Sequence, residues 1–271
     1  MMIAIELRKL FRRRRTWATI GVLNALPIIV AGLLAFTHLA PRPGQGPAFL
    51  SAVLANGELF PLAALAVVLP LFLPIAVAVV AGDSIAGEAQ AGTLRYLLVR
   101  PVGRTRLLLA KLVAVLAFVL VTVLIVAIVG FFLGLLLFPA GSAVSTVSVS
   151  GTTLTTGQLV FRTVLAIGYV TASMCGVAAF ALFFSTFTDS PLGATLGALA
   201  VLVGSSLLFT LNAASPISAY LPTRYWLAFV DFFRDPIQWR DTLRGLGLQA
   251  IYVGVLLTGA WANFTTKDIT S

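Results

Sequence analysis

Charge is scarce in this sequence. Of 271 residues only 10% are Asp, Glu, Lys or Arg, while 59% are apolar, against roughly 25% charged in an average soluble domain. That deficit excludes a soluble globule. It equally excludes a disordered chain, which needs low hydrophobicity and high charge. Cysteine and histidine are scarcer still. A single cysteine, Cys175, rules out an internal disulfide, and one histidine beside it leaves no ligand set for zinc. A P-loop is absent as well: it needs Gly-Lys-Ser/Thr, and the three lysines follow Arg8, Ala110 and Thr266. The chain therefore carries no ATPase motif, and no catalytic residues or cofactor of its own are expected.

What is present is a series of long uncharged runs, the mark of a polytopic membrane protein. A charge at a helix centre costs about 2.5 to 3.5 kcal/mol on the insertion scale, so uncharged runs define spans well. They predict an all-α membrane domain over 1–271, with six spans at 16–37, 59–82, 107–138, 158–187, 192–211 and 246–264. Pro61, Pro70 and Pro74 predict a kink in the second. A Ser/Thr/Gly-rich stretch up to Gly157 reads as an exposed loop. The apolar run after the basic N-terminus is too long for a secretory signal.

A net charge of +9 suits a nucleic-acid partner only where the cations share a water-exposed face with polar neighbours, and the long uncharged runs here favour a membrane instead. The charge then reads as orientation. Twelve of the 18 basic residues fall on one side: Arg8, Lys9, Arg12, Arg13, Arg14, Arg15, Arg95, Arg100, Arg104, Arg106, Lys111 and Lys267. By the positive-inside rule both termini are expected in the cytoplasm.

Residues 1–15 predict a basic amphipathic helix. Ile3, Leu7, Leu10 and Phe11 lie at helical spacing, and Arg8, Lys9, Arg12, Arg13, Arg14 and Arg15 are candidates for contact with the membrane surface. A plain topogenic signal accounts for the arginines but not for the apolar stripe. Between spans two and three, the loop 83–106 holds a short helix that Thr93 can cap and Pro101 stops. Its Leu94, Leu97 and Leu98 share a face that needs a cover, either membrane or a groove on a partner.

This loop resembles that of the permease subunits of type 2 ABC transporters, the small six-span kind that work with a separate ATPase. The resemblance is carried by Gly87-Glu88, Gly92-Thr93-Leu94, Leu97-Leu98, Arg100-Pro101-Val102 and Arg104, with Lys111 opening the next span. The basic start and the ending Phe264-Thr265-Thr266-Lys267-Asp268-Ile269 look like the family's ends. The resemblance implies a coupling helix near Gly92 to Val99, seated in a groove of the ATPase, with Arg95, Arg100 and Arg104 pairing with its acids or with lipid phosphate. Glu88 reads as a helix-positioning ion pair with an arginine rather than a proton carrier. The resemblance also implies two ATPase copies holding ATP and Mg, a second permease copy, and a prokaryotic inner membrane. The expected cargo is a hydrophobic antibiotic, drug or lipid-like molecule to be exported.

The segment 212–245 is too long and aromatic for a plain loop. Trp226, Val230 and Phe233 share a helical face, with Phe229, Phe232 and Trp239 beside them. The segment reads as an interfacial belt; the resemblance adds an external gate. Gly193 and Gly197 on the fifth span have the small-x-x-x-small spacing of a helix contact, within the chain or at a dimer interface. Two rival functions remain from the sequence: an ion-coupled secondary transporter, and a scaffold that transports nothing. The first needs an ionisable group deep in a span, and all nine acids fall at predicted ends or in loops. The orientation predicts that Ser145→Cys reacts with a membrane-impermeant maleimide from outside intact cells; labelling only after lysis reverses the topology.

Overall fold

A computed structural model describes residues 2–36, 56–92, 103–138, 146–147, 153–211 and 216–266. The fold is an all-α bundle. Helix α1 (Met2–Arg12) precedes α2 (Arg14–Phe36). A 3₁₀ turn (Gly57–Leu59) leads into α3 (Phe60–Val68), followed by α4 (Phe72–Gln90), α5 (Arg104–Leu137), α6 (Thr156–Phe187), α7 (Pro191–Thr210) and α8 (Arg240–Thr266). Among the described residues six helices, α2 and α4 to α8, are long and apolar enough to cross a membrane. The sole sheet described is a two-residue antiparallel pair, β1 (Thr146–Val147) with β2 (Thr153–Leu154), in the Ser/Thr-rich stretch.

These helices are apolar all round, so what sorts their faces is size. Outside stand Val22, Ile29, Phe132, Leu136, Leu192 and Val255; inside, Ala63, Ala64, Ala78, Ala81, Ala178, Ala179, Ala181 and Ala198. Lipid tails are as apolar as leucine, so the gain on helix association comes from close packing, which small residues allow. Helix α6 is the hub and packs against α4, α5, α7 and α8.

The second span differs from expectation. Instead of one kinked helix ending near Gly82, the chain forms α3, breaks at Leu69–Leu71, and continues in α4 to Gln90. Pro70 and Pro74 lie four apart, so neither can donate the N–H that its rung of the helix requires. Pro74 falls in the first turn of α4, where a missing N–H is tolerated. The extension to Gln90 takes two acids, Asp83 and Glu88, into the helix.

Three local devices fix the ends. Thr16 Oγ1 donates to Leu10 O at 2.7 Å and Trp17 Nε1 to Phe11 O at 2.8 Å, so α2 caps the last carbonyls of α1 across a one-residue corner. Thr155 and Gln158 form a reciprocal capping box at the start of α6. Gly92, at φ +66°, ends α4 in the left-handed conformation that glycine adopts without strain.

At the opposite end of the bundle, Gly57 and Gly134 meet backbone to backbone, and a Cβ on either would fall on the other's carbonyl. Gly134→Val should destabilise the purified protein by about 1–3 kcal/mol through overpacking, lowering its melting temperature in detergent. Gly204→Ala, with nothing within 4 Å of the added Cβ, should leave it unchanged.

Candidate functional site

The site builds from two carboxylates that an apolar helix cannot carry alone. On α4, Asp83 and Glu88 are five residues apart and so point about 140° apart around the axis. Each finds cations from a different direction. Glu88 Oε1 accepts from Lys9 Nζ of α1 at 2.5 Å, and its Oε2 lies 2.9 Å from Lys111 Nζ of α5. Lys111 in turn lies 3.7 Å from Glu6 Oε2 of α1. The Lys111 side chain is 1% exposed and that of Glu88 6%. Among the described residues, two lysines and two glutamates thus form a charge-balanced cluster that joins α1, α4 and α5. Asp83 Oδ2 takes Arg13 Nη1 at 2.8 Å and also Arg15 Nη2, which clamps the α1–α2 corner to the same helix. A cavity of about 70 Å³ lies among Lys9, Arg13, Arg15, Asp83, Glu88 and Lys111, with Val79, Val80 and Val115 also on its wall.

From the other side, α6 grips α4 at the same level. Ser185 Oγ donates to Gly82 O at 2.8 Å and accepts from Ala86 N at 2.9 Å, so one buried hydroxyl bridges a rung of the α4 ladder. One turn beyond Glu88, Gly92 ends α4 and the segment 93–102 begins.

The coupling candidates Thr93, Leu94, Arg95, Leu97, Leu98, Arg100 and Pro101 lie outside the described residues. Glu88, Gly92 and Arg104 flank that segment. Among the described residues the partners of Glu88 are the lysines Lys9 and Lys111, while Arg13 and Arg15 at the α1 corner reach Asp83. Arg104 Nη1 turns to the last helix and donates to Phe264 O at 2.9 Å and Thr265 O at 2.8 Å, binding the carbonyls at the end of α8. Of the six membrane-surface candidates, Lys9, Arg13 and Arg15 are engaged by α4. Arg8, Arg12 and Arg14 are exposed.

The other end of the bundle carries a cap. Residues Trp226–Phe233 form a 3₁₀ helix, and three residues per turn align Trp226, Phe229 and Phe232 rather than the 3.6-residue face of Trp226, Val230 and Phe233. Trp226, Phe229, Phe232 and Phe233 are buried, with Val230 partly so. These rings face protein, not lipid, which corrects the belt reading for them; Trp239 stays exposed. Side chains of α6 and α8 staple the cap through its backbone. Tyr169 Oη donates to Tyr225 O at 2.6 Å, Arg162 Nη1 to Arg234 O at 2.9 Å, and Gln249 Nε2 to Pro222 O at 2.8 Å. On α7, Gly197 meets the Phe184 ring of this chain's own α6, while Gly193 is exposed. The Gly197 end of that stripe is thus an internal contact.

Sequence reasoning missed Glu6, Asp83, Lys111, Ser185 and Arg162 as partners. Lys111 could have been found, since a lysine inside an apolar run needs a counter-charge. The others needed knowledge of which helices are neighbours. Among the described residues, no group of His, Cys, Asp and Glu is placed to hold a metal ion.

A family model described as ABC-2 family transporter protein matches residues 2–188, more than two thirds of the chain and all of α1 to α6. No curated protein matches the chain significantly. The matched part contains the whole ion-pair cluster and the segment it flanks.

Removing one partner of a buried pair leaves the other charge uncompensated, at a cost of about 3–5 kcal/mol. Lys111→Met should therefore destabilise the protein far more than Arg12→Met, as measured by thermal unfolding in detergent. Adding Glu88→Leu to Lys111→Met should recover part of the loss. Equal melting temperatures for Lys111→Met and Arg12→Met would show that the cluster does not hold the fold.

Proposed function

We infer, from a chain that belongs to the ABC-2 transporter family and has six helices able to span a membrane, that it is a permease driven by a separate ATPase subunit to export a hydrophobic or amphipathic molecule. Membership makes it a multi-pass ABC-type permease. The coupling, the cargo and the direction are the proposal. The observation that carries it is the buried cluster around Glu88. Glu88 stands one turn before the segment 93–102 and Lys111 two turns after it, and the two are joined by a 2.9 Å ion pair. A partner that moves this segment pulls on α4 and α5 together, and through Lys9 on α1.

ATP and Mg would sit on the partner, since no lysine here lies in a P-loop. Leu94, Leu97 and Leu98 would anchor the segment in a groove of the ATPase, with Arg95, Arg100 and Arg104 near it. Helix α1 would lie in the headgroup layer of the cytoplasmic leaflet, with Arg8, Arg12 and Arg14 toward anionic lipid, and both termini inside a prokaryotic cell. The aromatic cap Trp226–Phe233 would close the outer end of the path. A second permease would complete the transporter, with two ATPase copies. Gly193 is the part of the α7 stripe still open to that partner.

The buried Glu88–Lys111 pair is the feature an ion-coupled carrier would use. Its geometry favours a fixed brace: the carboxylate has a lysine on each oxygen. In liposomes, transport should require the ATPase subunit that copurifies with the tagged permease, and Leu97→Asp should abolish transport while insertion is unchanged. Flux driven by an ion gradient with no ATPase present overturns the reading, and wild-type transport by Leu97→Asp removes the coupling role.

A further inference from the structure

A groove lies away from the ion-pair cluster, between α5 and α8. It holds about 330 Å³ and is lined by Thr105, Leu108, Leu109, Leu112, Leu257 and Trp261. That volume falls within the range of small-molecule sites, roughly 300–1,000 Å³. Leu108 is buried at its floor, while Leu109 and Trp261 are about half exposed on its rims.

One end of the groove is polar, and two arginines stand beside it on α5. Trp261 Nε1 donates to Thr105 Oγ1 at 2.8 Å across the top of the groove. An indole with its N–H held at a polar tip marks the headgroup level of a bilayer. Arg104 stands one turn before Leu108 on α5, and Arg106 one turn before Leu109. Arg104 reaches over to the carbonyls of Phe264 and Thr265, which keeps its cation at that end. Arg106 is exposed. The first turn of α5 has no acid.

An apolar trough beginning under two guanidinium groups, at the depth where a tryptophan meets the interface, matches one chemistry: an acyl chain joined to a phosphate. We propose that this groove is a binding site for an anionic phospholipid. One acyl chain lies along Leu108, Leu109, Leu112 and Leu257, and the headgroup phosphate meets Arg106 and Arg104. The site belongs to the leaflet at the α1 end. That this leaflet is cytoplasmic rests on the orientation proposed above, whereas the preference for anionic lipid does not. The groove lies toward the end of α8 opposite the one that holds the cap, and the lipid is a bound component and not the cargo.

The test reconstitutes the full chain in vesicles of phosphatidylcholine and phosphatidylglycerol, re-extracts it, and counts retained lipid by native mass spectrometry. The wild type should retain phosphatidylglycerol over phosphatidylcholine at least about fivefold, the ratio for one guanidinium contact of about 1 kcal/mol. Arg106→Gln should lower that ratio by about fivefold, and Arg106→Lys should keep it. Leu109→Trp, filling the groove, should reduce retention of both lipids. Equal retention of the two lipids by the wild type overturns the proposal. So does an unchanged ratio in Arg106→Gln, a loss in Arg106→Lys as large as in Arg106→Gln, or wild-type retention by Leu109→Trp. Because no arm measures transport, these results are independent of whether the ATPase coupling holds.

Discussion

The fold hangs on the neutralisation of Glu88. A single charge within an apolar helix costs about 2.5 to 3.5 kcal/mol at the centre of a span, and α4 carries two acids before it ends. Because Lys9 and Lys111 each take one oxygen of Glu88, the helix can run to Gln90 instead of stopping at Gly82. The same pairing fixes α1. If α1 lifted away, Glu88 would lose Lys9, Lys111 would lose Glu6, and two buried side chains would be left half-compensated. A helix that composition alone would float on the membrane is thereby built into the bundle, and the residues that bind it are those that bracket the segment between α4 and α5.

The remaining order follows from α6. It meets α4 through Ser185, α5 along its length, and α8 through Asn263, whose Nδ2 donates to Thr186 O at 2.9 Å. Its N-terminal half holds the aromatic cap through Arg162 and Tyr169. Helices α2, α7 and α8 are buried over far less of their length than α4 or α6. They are the lipid-facing or partner-facing elements, while α4, α5 and α6 form the interior. The groove between α5 and α8 sits on the boundary between the two groups, where the helices are joined near their ends by Arg104 and Trp261.

Much of this was legible in the sequence, for a physical reason. A bilayer admits only segments that satisfy their own backbone, so uncharged runs mark helices with little ambiguity. The spans at 16–37, 158–187 and 192–211 match α2, α6 and α7 within two residues at each end. The errors lie where composition is silent. Two prolines four apart read as a kink, because their joint effect on one ladder shows only when the rungs are counted. The cap read as an α-helix because Trp226, Phe229, Val230 and Phe233 fit a period of 3.6 as readily as one of 3.0. Lys9 and Arg13, which reach Glu88 and Asp83, lie 79 and 70 residues away from them, and no periodicity links them. The charges were visible in the sequence, but which of them meet is decided by helix adjacency.

The two ends of the bundle are held by different kinds of interaction, and this bears on how it can move. At the α1 end the contacts are between charged tips on flexible stems. A lysine ammonium is a compact charge with rotatable donors, so it can follow a carboxylate through a shift and pair again. At the cap the contacts run from Arg162, Tyr169 and Gln249 to backbone carbonyls, where direction and distance are both constrained. A displacement applied near Gly92 would therefore draw α1, α4 and α5 along together, with the ion pairs re-forming as the helices shift. It reaches the cap only as a movement of α6 and α8 with the cap attached. Held by its flanking backbone to α6 and α8, the aromatic segment is tied to the helices that carry it.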